Sequence, residues 1–212
     1  TLDMEMPPIM GRPVARIDAA SKVTGQTKYL PDMTFPGMLY ARVLRSPIAH
    51  ARIKHIDTQR ARDLPGVRAV ITARDVPSIK FSFIDALADK LMLCDDKVRC
   101  VGDEVAAVAA DTLAIAEKAL ELIDVDYEPL PEILDPEEAA KDDSNLVHEE
   151  KGTNVTFESK NEWGDIEKGF EEAEFVFEDR FTTSRVSHCC LETRGCIADF
   201  PKGGRLTVWG PT

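Results

Sequence analysis

Hydrophobic and polar positions alternate along much of the first 130 residues, and the alternation predicts strands. Leu39–Arg45 alternates well enough for one strand. Ala51–Asp57 makes a second, in which Ile53 and His55 face oppositely to Lys54 and Ile56. Thr58–Leu64 reads as a short helix stopped by Pro65-Gly66. Val67–Thr72 then reads as a buried strand, and Ala73–Val76 as a turn or helical stub. Residues 77–96 carry little periodicity and read as a long loop. Lys97–Val101 is a strand, Gly102-Asp103 a turn, and Glu104–Ala110 a nearly all-apolar strand of the kind covered on both faces. Asp111 is placed to cap the next helix, because its carboxylate can accept free N–H groups of the first turn. Leu113, Ala116, Leu120 and Ile123 recur at helical spacing with Glu117, Lys118 and Glu121 outside, so this helix packs on a sheet. Asp124–Glu128 returns as a strand ended by Pro129 and Pro131.

Beyond that point the pattern loosens. Residues 1–20, broken by Pro7, Pro8, Gly11 and Pro13, read as an extended arm without a core. Asp165–Glu172 predicts a short helix. Phe175–Thr183 sets Phe175, Phe177, Asp179 and Phe181 on one face, which predicts a long half-buried strand. Cys196–Phe200 and Arg205–Trp209 predict two more strands, joined by Pro201–Gly204 as a hairpin. The count is about five strands and two helices in residues 38–128 and three strands in 174–210. The second group spans only about 40 residues, too few for a stable core without more chain or a partner. The strand that ends in Val208-Trp209 implies that the protein continues.

Charge narrows the function. Twenty-six basic and 38 acidic residues give a net charge of −12, which argues against nucleic-acid or anionic-membrane partners. No run reaches the roughly 18 apolar residues of a membrane helix. Residues 128–150 hold nine acids against Lys141 alone. This reads as a solvated connector rather than a cation site. The five cysteines, Cys94, Cys100, Cys189, Cys190 and Cys196, lack metal-ligand spacing. An odd, unpaired set fits reduced thiols in a cytoplasmic protein, used as small buried side chains. The sequon Asn154-Val155-Thr156 carries no meaning in such a compartment.

No GxGxxG, P-loop, HExxH or GxSxG pattern occurs. His50 reads as a turn or strand-edge histidine bonded to backbone. His188-Cys-Cys-Leu-Glu192 is the most suggestive stretch. On a helical turn the imidazole and carboxylate would share a face and pair. In an extended segment they would lie roughly 13 Å apart. They either fix a corner as buried polar groups or line a pocket.

Several ordered blocks carry a family resemblance. Arg16–Tyr29 with Asp32 and Pro36–Leu39, then Arg45–Ile53, Pro65–Val67, Lys97–Val105, Ala107–Asp111, His188–Glu192 and Leu206–Trp209 resemble the molybdenum-binding subunit of the xanthine dehydrogenase and aldehyde oxidase family. The resemblance implies an α/β (α+β) fold. An extended arm (1–20) precedes an α/β hammerhead domain (21–130), an acidic linker with short helices (131–173), and the first strands of a molybdopterin-binding domain (174–212). It implies an oxidoreductase that hydroxylates or reductively dehydroxylates carbon, with oxygen from water, on an aldehyde, an N-heterocycle or an aromatic acyl-CoA. A molybdopterin-type cofactor would serve the complete subunit, and FAD and iron–sulfur clusters would sit in partner subunits or domains. The partners implied are the remainder of the molybdenum subunit, the iron–sulfur and flavin subunits, and a small-molecule substrate. The family's catalytic glutamate and metal-side glutamine fall beyond residue 212, so no catalytic residue and no metal ligand is assigned. His188 and Glu192 are carried only as pocket-lining candidates, and this chain alone is expected to hold no cofactor and to be inactive. The alternative is a non-catalytic structural or subunit-interaction module of the same fold.

Overall fold

The computed structural model describes residues 11–84, 87–141, 143–190 and 192–211. The elements run α1 (Ala19–Val23), β1 (Tyr40–Arg45), β2 (Ala51–Asp57), α2 (Gln59–Arg62), β3 (Val67–Thr72), β4 (Lys97–Val98), β5 (Glu104–Ala110), α3 (Leu113–Leu120), β6 (Asp124–Pro129), α4 (Pro136–Lys141), α5 (Ile166–Glu172), β7 (Ile197–Asp199) and β8 (Thr207–Trp209). They fall into two compact units. The larger is Gly37–Ala173; the smaller combines the chain up to Pro36 with Glu174 onward.

The larger unit holds two three-stranded antiparallel sheets, β1-β5-β3 and β4-β2-β6. β5 is the centre of its sheet and is covered on both faces, as its apolar run predicts. Ala106 and Val108 join Ala61, Val70, Ala119 and Ile123 in one core cluster, while Val105 joins Ala51 and Val98 in another. Ile56 and Val125 touch both clusters. Alanine dominates where α3 meets β1 and β5, with Ala106, Ala116 and Ala119 fully buried, so the helix backbone approaches the sheet closely. Between α2 and β3, Gly66 adopts φ +92°, a conformation L side chains rarely take. An added Cβ there would also stand 2.7 Å from Ile115 Cδ1.

Four local differences from the sequence reading have physical causes. The register of β2 against β6 shifts between Ile53 and His55. The bulge resets the alternation, so Ile53 and Ile56 both turn inward and His55 outward. Thr112, not Asp111, caps α3: its backbone is extended and its side chain accepts from the Ile115 N–H. Asp111 is drawn instead into a two-pronged ion pair with Arg68 of β3, at 2.7 and 2.8 Å. β4 stops at Val98 because Asp103 captures the N–H groups of Arg99 (2.6 Å) and Cys100 (3.1 Å), which would otherwise extend the ladder. Phe175–Thr183 forms no strand. The segment is exposed, with Phe177 at 90% and Phe181 at 87%, because among the described residues no neighbouring strand supplies hydrogen bonds or covers its apolar face.

The smaller unit carries α1 and the two-stranded sheet β7-β8, whose register pairs Ile197 with Trp209 and Asp199 with Thr207. The connection closes through the Gly204 N–H donating to Pro201 O at 2.8 Å, as the hairpin pattern predicts. Trp209 also stacks on Phe35, with ring centroids 4.8 Å apart. The cysteines correct the expectation of burial. Cys94 is half-buried, and Cys100, Cys189, Cys190 and Cys196 are exposed, since the latter four lie in turns or irregular segments.

Candidate functional site

One place in each unit bears on the residues singled out from sequence or on the acidic stretch. In the smaller unit, Leu30-Pro31-Asp32 winds into a single 3-10 turn fixed by Pro31 and by the Tyr29 N–H donating to Asp32 Oδ2 at 3.0 Å. The next free donor, Leu30 N–H, binds Glu192 Oε1 at 3.0 Å across 162 residues of chain. Leu30 also lies close over Gly195, where an added Cβ would stand 3.0 Å from Leu30 Cδ2. Tyr29, Pro31, Asp32, Glu192 and Thr193 line an open cavity of about 290 Å³. Of the two candidates from sequence, Glu192 is thus half-buried at a pocket wall, while His188 is exposed in a segment outside any helix or strand. No helical turn brings the two together; the Glu192 carboxylate serves the Leu30 backbone.

In the larger unit, the turn Arg99–Asp103 faces the segment Leu146–Lys151 across a cavity of about 200 Å³. Asp103 is its fixed point. Burial tends to raise the pKa of Asp103, but the Cys100 thiol donating at 3.0 Å and the two N–H donors outweigh this and hold it below the ordinary carboxylate value. Burial, together with the same carboxylate, pushes the Cys100 thiol up to about 11; burial, with the Asp103 charge second, pushes Cys94 up to about 12. Neither thiol is a thiolate near neutrality, so neither is poised as nucleophile or metal ligand. No group of three His, Cys, Asp or Glu among the described residues is arranged to hold a metal ion. His50 behaves as expected, with Nδ1 donating to Pro131 O at 2.6 Å. The Asn154 side chain of the sequon binds the backbone of Asn145 and Val147.

The sequence reading missed this second place. The acidic stretch looks like a solvated connector, yet Leu146–Lys151 is tied down by Lys97, Arg99 and Arg52. The Lys97 ammonium, 1% exposed, donates to Leu146 O at 3.2 Å and lies 3.4 Å from Glu149. Arg99 Nε donates to Val147 O at 3.1 Å, and Arg52 pairs with Glu149 at 3.0 Å. The one available signal was Lys97-Val-Arg99 itself, two cations set close together on a short strand.

The described residues that line the cavity at Glu192 do not fit a molybdopterin group. Such a cofactor is anionic, and the cavity at Glu192 offers the carboxylates of Asp32 and Glu192 and no cation. No step through the cofactor is assigned to these side chains.

The chain is similar to known proteins along most of its length. Residues 24–131 match the family described as aldehyde oxidase and xanthine dehydrogenase, a/b hammerhead domain, and residues 147–212 match the molybdopterin cofactor-binding domain. The chain is 41% identical over 198 residues to a probable xanthine dehydrogenase subunit of Bacillus subtilis, covering 93% of this chain and 26% of that one. It is 36% identical to the nicotinate dehydrogenase large molybdopterin subunit of Eubacterium barkeri, covering 94% and 46%. Among solved structures, reconstituted CO dehydrogenase from Oligotropha carboxidovorans superposes with a TM-score of 0.81 at 38% identity, over 95% of this chain and 27% of the other. The chain therefore spans between a quarter and a half of the length of these relatives. The hammerhead-domain match over about half of the chain leads to one conclusion: this chain belongs to the aldehyde oxidase and xanthine dehydrogenase family.

Proposed function

We propose that the chain forms part of the catalytic subunit of a molybdenum-dependent oxidoreductase, and that its own role is structural. Residues 21–130 act as the hammerhead scaffold and 174–212 as the first strands of the cofactor domain. The observation that carries this reading is the bond from Leu30 to Glu192. It fastens two of the blocks that carry the family resemblance to each other, so the chain builds a wall of a pocket whose reacting groups other residues must supply. The molybdopterin cofactor of the complete subunit supplies the redox chemistry when bound. Electrons then leave through iron–sulfur and flavin groups of partner subunits.

The reaction is hydroxylation at carbon with oxygen from water. The substrate is a small organic molecule of the aldehyde, N-heterocycle or aromatic acyl-CoA class. The relatives named for xanthine and nicotinate support the N-heterocycle. No helix of the described residues is long and apolar enough to cross a membrane, and exposed unpaired thiols suit the reducing cytoplasm.

The test uses the full-length subunit assembled with its partners. Turnover of an N-heterocycle in ¹⁸O-labelled water should place the label in the product, and molybdenum should be stoichiometric. Polypeptide 1–212 alone should hold no molybdenum and convert nothing. Label from O₂ instead of water, or molybdenum retained by residues 1–212, overturns the reading.

A further inference from the structure

Residues 146–151 are not simply adjacent to the rest of the larger unit; they are clamped to it around a buried imidazole. Lys97 of β4 and Arg99 just beyond it hold the carbonyls of Leu146 and Val147, and Arg52 of β2 holds Glu149. Lys80 pairs with Glu150. Inside the clamp sits His148, its side chain only 11% exposed, lining the 200 Å³ cavity with Cys94, Cys100 and Arg99. Its Nδ1 is buried with no hydrogen-bond partner among the described residues. The matched cofactor-domain region begins at residue 147, within this clamped segment.

We infer that residues 146–151 form a pH-gated latch on the larger unit, held closed by Lys97 and Arg99 and opened when His148 takes up a proton.

The charges around the ring set the sign. Asp89 lies 3.6 Å from Nε2 and Glu150 lies 3.8 Å from Nδ1, both beyond a hydrogen bond. Glu150 is already engaged by Lys80, which holds its pKa at about 2. Against them stand burial of the ring and the Arg99 guanidinium pinned beside it, with Lys151 on the segment itself. Lys90, Asp103 and Glu104 line the same cavity, and the two thiols stay neutral. Burial and Arg99 prevail, so His148 binds its proton less readily when the latch is closed than when it is open. The closed state is fully stable above the free histidine value of about 6.5 and weakens as pH falls below it. The inference does not depend on the proposed activity.

Hydrogen–deuterium exchange on the full-length protein reads the latch directly. Corrected for intrinsic rates, protection of a peptide spanning 146–151 should fall about tenfold between pH 7.5 and pH 5. In His148→Gln it should change by less than about twofold, and in Lys97→Met the peptide should be open at both pH values. Exchange at the His148 ring C2 hydrogen gives its titration whether or not the variants latch, and the midpoint should lie below that of free histidine. Unchanged wild-type protection, the same pH response in His148→Gln, full protection in Lys97→Met, or a midpoint at or above the free value each overturns the latch.

Discussion

The two units answer the same kind of sequence pattern in opposite ways. In the larger unit an apolar run such as Glu104–Ala110 becomes a central strand with Val105, Ala106 and Val108 all but fully buried. In the smaller unit Phe175, Phe177 and Phe181 show an equally regular alternation and remain exposed. Among the described residues, every buried hydrophobic side chain lies between Ala51 and Ile123. Alternation thus specifies a face that can be buried, while burial itself needs a second surface. β5 has strands on both sides and packing on both faces; residues 175–183 have neither.

Substitutions that place a charge in each pattern should break this comparison most sharply. Val108→Asp leaves an unpaired carboxylate in the core and should destabilise the larger unit by roughly 4 kcal/mol or more. Phe177→Asp should change stability by less than about 0.5 kcal/mol. Urea denaturation of the 212-residue polypeptide measures both. Equal effects would mean that residues 175–183 are packed after all. Gly66→Ala comes next, at roughly 1–3 kcal/mol, because the positive φ strains any L residue and the new methyl meets Ile115.

These contrasts show what sequence can carry. The strands of the larger unit and α3 were legible because period-2 and period-3.6 patterns coincide there with real partners. The bulge in β2 was not legible, since an inserted register shift leaves no trace in the alternation of Ile53 to Ile56. The cap was misread by one residue because Asp111 and Thr112 are both good caps, and only the position of Arg68 across the sheet decides between them. The clamp at Leu146–Lys151 stayed hidden for a related reason. Its cations Lys97 and Arg99 lie about 50 residues upstream of it, and charge patterns along a chain report neighbours in sequence only. Glu192 emerged as a candidate because it stands in a recognisable block, though its partner, a backbone N–H, has no signature at all.

The cysteines test the chemistry of the larger unit against the smaller. At pH 8 a soluble disulfide reagent should modify the exposed Cys189, Cys190 and Cys196 first. Cys94 and Cys100, held near 12 and 11, should lag by more than about tenfold. Asp103→Asn should shorten that lag for Cys100, leaving the part due to burial, and destabilise the turn by about 1–3 kcal/mol. The Asp103 contribution has a definite pH sense. Its pKa is depressed in the fold, so its stabilisation is complete above the ordinary carboxylate value and is lost as pH falls through the lower, folded value. Stability from urea denaturation, followed by circular dichroism, should therefore fall more steeply with acid in wild type than in the Asn variant, and the gap between the two should close as Asp103 takes up its proton.

The smallest effects belong to the pair first singled out by sequence, and their inequality separates structure from function. Glu192→Ala removes the acceptor for Leu30 N–H and should destabilise the smaller unit by about 1 kcal/mol, whereas Glu192→Gln keeps an oxygen in place and should restore most of it. His188→Ala deletes an exposed ring and should shift stability by less than about 0.5 kcal/mol. If the assembled enzyme then loses turnover on His188→Ala while its melting is unchanged, the imidazole faces substrate or cofactor in the complete protein. If instead stability falls by about 1–3 kcal/mol, residues outside this chain bury it as a structural partner. Either result assigns His188 a role that its neighbour Glu192, already committed to the backbone, does not share.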